Sequence, residues 1–161
     1  MNPESSNPAI CLPREMLARP GFLLARVGLA LKLETMDEFE QIGFNAYHYG
    51  VLALLDEGAR ETQATIADAL GLDRSMLVGH LDQLEERGMI ERRRDPNDRR
   101  RQMVSLTAAG KRQLAAFRKM VQKIEDDFLA PLDEDERATL HDLLLRVAAQ
   151  RDSRFVPAQP V

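Results

Sequence analysis

The most informative part of the chain is residues 88–107, which read GMIERRRDPNDRRRQMVSLT. Two strand candidates, 89–93 and 103–106, flank the turn cluster 95–98, in which a proline fixes φ and Asx side chains bond nearby amides. The tip of this hairpin, residues 98–101, ends in three consecutive arginines. The segment therefore predicts a β-hairpin with a positively charged tip.

The residues before the hairpin predict two short helices joined by a tight turn. Thr62 is a candidate N-cap for a helix over 63–70, and Gly71 suits the left-handed turn after it. Asp73 can cap a second helix that stops at Gly88. The residues of this second helix that are spaced to face inward are Leu77, Leu81 and Leu84. Two such helices form a helix-turn-helix unit, and a hairpin with an arginine tip directly after it is a wing.

Helical patterns flank this unit on both sides. Residues 15–40 are apolar around most of the helix girth, which predicts burial on two sides and makes a second subunit a natural supplier of one of them. The caps predicted for the remaining helices are Asn45, Thr107, and Asp133 with Glu136. The predicted fold class is mainly α with a small β-hairpin wing, a winged helix-turn-helix lobe plus a helical dimerisation lobe. The predicted division is a flexible lead-in over 1–14, a dimerisation region over 15–43 and 116–152, a DNA-binding region over 44–115 and a loose tail over 153–161.

The distribution of charge matters more than its sum. The formal net charge is -4, which by itself disfavours a nucleic-acid partner. Residues 91–101, however, hold six arginines against three acids, whereas acids crowd 34–40 and 125–136. A local basic patch on an acidic chain is typical of a protein that contacts nucleic acid through one surface.

Several classes of function are disfavoured by what the sequence lacks. A single cysteine, Cys11, excludes an intrachain disulfide, and its position in the lead-in favours an inert thiol over an oxidant sensor. The longest apolar stretch is too short for a bilayer, and no signal peptide is apparent, so we expect a soluble cytoplasmic protein without membrane contact. No catalytic or phosphate-loop motif is present, so we expect neither an enzyme nor a cofactor. The three histidines, His48, His80 and His141, are not spaced as a local metal site.

The motifs themselves resemble those of a known family. The stretches LGLDRS at 70–75, LDQLEERGMIER at 81–92, RDPNDRR at 94–100 and VSLTAAG at 104–110 are similar to the MarR family of transcription regulators, closely over about residues 44–115. The resemblance implies an obligate homodimer, built from the first helix and the last two, that presents paired wings and recognition helices to a pseudo-palindromic operator. It also implies release from DNA when a small, often aromatic or phenolic, ligand enters a cleft between the dimer helices and the DNA-binding lobe.

Candidate DNA contacts lie on the second helix of the helix-turn-helix and on the wing. Where the family often has a polar pair in the recognition helix, this chain has Val78 and Gly79, so direct readout falls on other positions of that helix. Arginines at the wing tip can reach into a narrow minor groove, and Asp98 would brace the wing rather than touch DNA. The alternatives are a solvated charged hairpin and a simple helix cap. The remaining predicted contacts are Arg74, Ser75, Met76, His80, Gln83, Arg99, Arg100 and Arg101.

The predicted ligand cleft rests on fewer residues. Tyr47 and His48 bring polar tips onto an apolar stripe, as a small-molecule site requires, and Phe22 and Arg26 are candidates from the first helix. A structural role for the histidine is the alternative. The function predicted from the sequence is a homodimeric DNA-binding repressor released by a small ligand. A winged-helix module that contacts protein instead of DNA remains the second hypothesis.

Overall fold

The computed structural model describes residues 11–58, 61–95, 98 and 101–155. These residues form a mostly helical chain with one small antiparallel sheet. The elements in chain order are α1 (Arg14–Leu17), α2 (Pro20–Gln41), α3 (Ala46–Gly58), β1 (Glu61–Thr62), α4 (Gln63–Leu70), α5 (Arg74–Glu86), β2 (Ile90–Arg94), β3 (Gln102–Leu106), α6 (Ala108–Phe128), α7 (Glu134–Arg151) and a 3-10 turn over Ser153–Phe155.

The first predicted helix is in fact two. The chain leaves the helix after Leu17 and starts again at Pro20, which occupies the first turn of α2. Proline restricts the residue before it to extended conformations, and Arg19 accordingly has φ -100° and ψ 110°. The expectation of one uninterrupted helix over 15–40 was therefore wrong at its N-terminal end.

The helix-turn-helix is formed by α4 and α5, and its predicted caps are confirmed. The Thr62 side chain accepts a hydrogen bond from Thr65 N–H, and the Thr65 side chain in turn accepts one from Thr62 N–H. Gly71 ends α4 with φ +64°, in the left-handed region that favours glycine. Asp73 then accepts a hydrogen bond from Met76 N–H at the start of α5.

The wing is the predicted hairpin with an additional strand. Strand β3 pairs antiparallel with β2 from Ile90↔Leu106 to Arg94↔Gln102, and with β1 through Glu61↔Val104 and Thr62↔Met103. The sheet order is β1-β3-β2. The sequence does not reveal β1 because two residues are too few to establish an alternating pattern.

One core joins the lobe to the long helices. The three leucines that the spacing placed inward on α5 are each at most 1% exposed, as predicted. Three phenylalanines meet in this core: Phe39 of α2, Phe44 before α3, and Phe117 of α6. The ring centroids are 5.2 Å apart for Phe39 and Phe117 and 4.9 Å apart for Phe44 and Phe117. The other buried apolar residues are Val51, Leu52, Leu55, Ile66, Ala67, Ile90, Val104, Leu114 and Ile124.

The junction between wing and α6 is tightly packed. The Thr107 hydroxyl accepts from Gly110 N–H at 3.0 Å and lies 2.7 Å from the Gly88 carbonyl, to which it donates. A Cβ on Gly110 would collide with the backbone carbonyl of Met89, so only glycine lets α6 approach the start of the wing this closely. The threonine and glycine of the VSLTAAG stretch therefore have separate structural roles.

The outer helices leave apolar surface uncovered within a single chain. No residue of α7 is buried, and in α2 only Phe39 is. The tail also differs from expectation, because residues 153–155, predicted to be loose, form a 3-10 turn. None of the helices in the described part of the chain is long and apolar enough to cross a membrane. The exposed large apolar residues of the outer helices are Met16, Leu17, Leu23, Leu24, Val27, Leu29, Leu33, Met36, Leu143, Leu144 and Val147.

Candidate nucleic-acid interface

Helix α5 presents one face outward because the opposite face is anchored by its three buried leucines. Two apolar side chains stand on the outer face, Met76 at 47% exposed and Val78 at 39%. Gly79 has open space where a side chain would be. Arg74, Ser75 and Gln83 are also exposed on α5. The outward face is thus small and apolar in its middle and polar at its ends.

The Ser75 side chain forms a hydrogen bond at the start of the helix. Its hydroxyl donates to Asp73 Oδ1 at 2.5 Å, beside the bond from Met76 N–H to the same oxygen. These bonds to the carboxylate, that from Ser75 first, hold the pKa of Asp73 below its ordinary value. The first turn of α5 therefore keeps a negative charge at its own N-terminus, where the helix dipole favours it.

A basic cleft lies where the helix-turn-helix meets the wing. It has a volume of about 480 Å³ and lies between the first turns of α4 and α5 and the end of the hairpin. Gln63 donates to Gln102 Oε1 at 2.9 Å and so joins α4 to β3 across the floor of the cleft. Two arginines, Arg74 and Arg101, face it. Two guanidinium groups around one cleft suit a phosphate group.

The tip end of the wing is closed by backbone bonds. Asp95 N–H donates to Arg101 O at 3.0 Å, and Arg101 N–H donates to Asp98 O at 2.9 Å. Asp98 Oδ2 also lies 3.8 Å from Arg101 Nε, an ion pair of the kind a bracing carboxylate would make, while the Arg101 side chain remains 66% exposed. Arg99 and Arg100 lie outside the described residues.

One arginine of the basic stretch serves the fold instead of a partner. Arg92 of β2 is only 16% exposed and donates to the carboxylates of Glu85 and Asp82 on α5, with its Nη2 2.6 Å from Asp82 Oδ1. Hydrogen bonding to Arg92 lowers the pKa of Glu85, and the same bonds raise that of Arg92. Counting all six arginines as a basic patch therefore overstated the charge available to a partner. The two acids on α5 were the sequence signal for this internal clamp.

A second cluster links α3 to α5 beneath the recognition face. His80 is half-buried, its ring centroid 5.2 Å from Tyr47 and 5.3 Å from His48, and Asn45 Nδ2 lies 3.4 Å from His80 Nδ1. The structure thus packs His80 against α3, so it is less available to DNA than its sequence position suggested. It also brings together two histidines that are far apart in sequence. Among the described residues, however, no group of three or more metal-ligating side chains is present.

His48 is the buried polar residue of this cluster. It is 1% exposed, and its Nδ1 accepts from Asn45 N–H at 3.2 Å, so the neutral ring carries its proton on Nε2. Nε2 has no hydrogen-bond partner within the described part of the chain. Burial, then the nearby His80 and Arg87, lower the pKa of His48 to about 4, with the neighbouring Gln83 side chain acting in the opposite direction. His48 is therefore neutral at pH 7.

The four predicted ligand residues do not gather around one point of the single chain. Tyr47 and His48 lie on α3 where it packs against α5, and Tyr47 is 43% exposed. On α2 it is Phe39 that packs against α3. Phe22 and Arg26 lie roughly 25 Å and 20 Å along the helix axis from Phe39, at 1.5 Å per residue. Phe22 and Arg26 could therefore share a site with Tyr47 only if a second subunit brought its own copies of them close.

A helix-turn-helix followed at once by an antiparallel hairpin, with a basic cleft where the two meet, defines a winged helix-turn-helix protein. The MarR family model matches residues 44–101. A regulatory protein for the hcr operon of Thauera aromatica is 38% identical over 102 residues, which are 63% of this chain. That match covers 61% of the relative, so the chain spans less than two thirds of its length.

Solved structures of similar fold extend the comparison to the outer helices. The PcaV transcriptional regulator of Streptomyces coelicolor, in complex with its natural ligand, is 30% identical, with a TM-score of 0.68 over 88% of this chain and 100% of that one. A cysteine-to-serine variant of E. coli MarR in complex with operator DNA is 26% identical, with a TM-score of 0.68 over 85% and 99%. The chain belongs to the MarR family of transcription regulators.

Proposed function

We propose that this transcription regulator is a homodimeric repressor that binds a pseudo-palindromic operator and leaves it when a small aromatic ligand binds. The observation that carries the proposal is the basic cleft between α4, α5 and the wing, which is lined by Arg74, Arg101 and the first turn of α4. This arrangement suits the phosphate backbone of duplex DNA, and the E. coli relative in complex with operator DNA supports it.

In the proposed complex, α5 enters the major groove and the wing follows the neighbouring minor groove. Arg74 and Gln83 supply polar contacts, while Met76 and Val78 can pack on thymine methyl groups. Gly79 offers no side chain, so the helix backbone can approach the bases closely. Because few polar groups face outward from the middle of α5, DNA shape and the wing arginines carry much of the sequence preference.

Dimerisation is proposed from the uncovered apolar surface of the outer helices. Side chains such as Leu29 and Leu33 of α2 and Val147 of α7 are half exposed in the single chain. A group of exposed large apolar side chains on two helices of an otherwise well-packed protein is typical of an interface. A two-fold dimer would present two copies of α5 about 34 Å apart, one turn of DNA.

The ligand is proposed to act at the cluster of Tyr47, His48 and His80. This cluster lies on the seam that fixes α5 against α3, so a molecule wedged there would shift the recognition helix. The unpartnered Nε2–H of His48 can donate to a phenolic or carboxylate oxygen, and the rings offer stacking partners for an aromatic body. The structure of the relative PcaV in complex with its natural ligand supports a ligand site in a protein of this fold.

A protein-interaction module is the second candidate, favoured by the exposed apolar pair Met76 and Val78 on α5. The two candidates differ in their dependence on salt. DNA binding through phosphates weakens steeply as salt rises, whereas an apolar protein contact does not.

The test is fluorescence anisotropy with duplexes from the chain's own upstream region and with random genomic duplexes, each at 50 and 200 mM salt. We expect two chains per site and strongly salt-dependent binding. Arg74→Ala and Arg101→Ala should each reduce the slope of log Kd on log salt by about one, and Arg151→Ala, on α7, should not. Benzoate and phenol then serve as the simplest aromatic probes of release. Absence of binding to every duplex at low salt would favour the protein-interaction module.

A further inference from the structure

The turn after α7 holds an arginine against the helix-turn-helix. Asp152 ends α7, and its carboxylate accepts from Arg154 Nε at 2.9 Å and from Arg154 Nη2. It also accepts from the backbone N–H of Arg154. This pairing lowers the pKa of Asp152 to about 2, so the carboxylate stays charged and the guanidinium keeps one orientation.

The remaining guanidinium nitrogen reaches across 86 residues of sequence. Arg154 Nη1 lies 3.4 Å from the carbonyl oxygen of Asp68, in the last turn of α4. The same nitrogen lies against Gly71, so close that a Cβ there would collide with it. Arg154 thus covers the turn that sets the angle between α4 and α5.

The position of Arg154 suits this role electrostatically. The last carbonyls of a helix have no partners within the helix, and a cation beside them is favourable because of the helix dipole. Gly71 N–H already donates to Asp68 O at 3.3 Å, so the arginine adds a second donor to the same cap. The left-handed Gly71 supplies the turn, and Arg154 closes over it.

The same tail turn is tied to the outer helices. Phe155 lines a groove of about 360 Å³ between α6 and α7, together with Leu129 and Leu144. Residues 152–155 therefore connect the α6–α7 hairpin at one end with the helix-turn-helix turn at the other.

We propose that Arg154 is a positioning residue for the recognition helix: it couples the end of α7 to the α4–α5 turn and so fixes the orientation in which α5 meets its partner. Arg154 acts through Gly71 and Asp68 and does not itself touch DNA. The inference rests on the proposed DNA-binding function only for its effect on affinity. Its effect on the α4–α5 turn is a property of the free protein.

The experiment compares Arg154→Ala with Arg151→Ala, which removes the same charge from the last turn of α7. Hydrogen exchange of the full-length protein without DNA is followed at the amides of residues 69–73. We expect Arg154→Ala to accelerate exchange there about two- to fivefold, the fold-change equivalent to one cation at a helix C-terminus, and Arg151→Ala to leave it unchanged. Equal exchange in the two variants would overturn the proposal whether or not the protein binds DNA.

A double-mutant cycle and a DNA titration complete the test. Gly71→Ala is destabilising in the native background because it must displace Arg154 and adopt a left-handed φ, and in the Arg154→Ala background only the second cost remains. We expect the factor by which Gly71→Ala changes the unfolding equilibrium constant to be at least about threefold smaller in the Arg154→Ala background than in the native one. On the operator, Arg154→Ala should raise Kd without changing the salt slope, and Arg154→Lys should restore part of the loss. Additive effects in the cycle, or a fall in salt slope that marks a direct phosphate contact, contradict a positioning role.

Discussion

The winged helix-turn-helix lobe and the outer helices use the same apolar residue types in opposite ways. In the lobe, leucines such as Leu81 and Leu84 are completely buried by neighbours from the same chain. In α2 and α7, leucines such as Leu33, at 56% exposed, face outward. The apolar side chains of the lobe are therefore buried within one chain, whereas many of those on the outer helices are not.

This difference distinguishes two parts of the chain, the winged helix-turn-helix lobe and the frame, by which we mean the outer helices α2, α6 and α7. The core of the lobe is completed within the chain, by Phe39 of α2 and Phe117 of α6, and so does not depend on a second subunit. In the proposed homodimer, the exposed apolar side chains of α2 and α7 would be covered by the second copy. A ligand that changed this proposed interface could then change the relative positions of the two lobes without unfolding either of them.

The largest effect we expect comes from disrupting the proposed dimer interface on α2. Leu33→Glu places a charge on the exposed apolar stripe of α2, where the proposed interface would have to bury it. We expect the dimer to be lost and operator affinity to fall at least about 100-fold, since one lobe alone lacks the second half-site. Light scattering and anisotropy measure the two effects.

The matched control for this change is Ala115→Glu, which introduces the same side chain on an exposed position of α6. It should leave the molecular mass and the affinity close to those of the native protein. If Leu33→Glu remained dimeric at micromolar concentration, α2 would not be part of the interface, and the comparison between lobe and frame would need another explanation.

The next prediction compares two helical glycines, Gly110 in the first turn of α6 and Gly79 in the middle of α5. Gly110→Ala forces a Cβ against the Met89 carbonyl and should cost on the order of 3 kcal/mol. Gly79→Ala meets open space and should stabilise the helix by about 1 kcal/mol. Urea denaturation of both variants tests this, and a stabilised Gly110→Ala would show that α6 does not need its close approach to the wing.

Local rules predicted most of the lobe because its signals are short-range. Caps such as Thr62 and Asp73 and the left-handed Gly71 are determined by residues within a few positions of one another. The break at Pro20 was also a local signal, and the apolar pattern on both sides of it concealed it. Strand β1 depends on pairing with β3 about 40 residues later, which no local pattern records.

The candidate site was predicted less completely, because contacts across elements decide which charges face outward. Arg92 belongs to the basic stretch in sequence, but Glu85 and Asp82 turn it inward. His80 lies on the recognition helix, yet it packs on Tyr47. Whether such a side chain faces outward depends on how neighbouring elements pack, and a single sequence does not show that packing directly.

A smaller effect tests the core of the lobe through acidity. The folded-state pKa of His48, about 4, is below the unfolded value of 6.5, so the unfolded chain binds the extra proton and stability is lost as the pH falls from 6.5 towards 4. Between pH 7.5 and pH 5 we expect His48 to contribute a loss of up to about 2 kcal/mol. Urea denaturation across this range measures it, and the effect should not change with protein concentration above the dimer threshold.

Two variants isolate this contribution. His48→Asn removes the titrating ring and should flatten stability between pH 6.5 and pH 5, whereas His141→Asn makes the same substitution at an exposed position of α7 and serves as the matched control. If both variants kept the native slope, the acid sensitivity would belong to carboxylates on the surface and not to the seam between α3 and α5.

The smallest effect concerns the residue at which lobe and frame meet. Thr107→Ala removes the N-cap of α6 and the hydroxyl bond to the Gly88 carbonyl, and should cost about 1 kcal/mol. Thr107→Ser keeps the hydroxyl and should recover most of that loss. If the Thr107 bonds transmit changes between frame and lobe, the alanine variant should also weaken the response to an aromatic ligand more than it weakens DNA binding. A loss of stability with an unchanged ligand response would mean that the junction only caps a helix, and that the frame communicates with α5 through α3 and the tail turn instead.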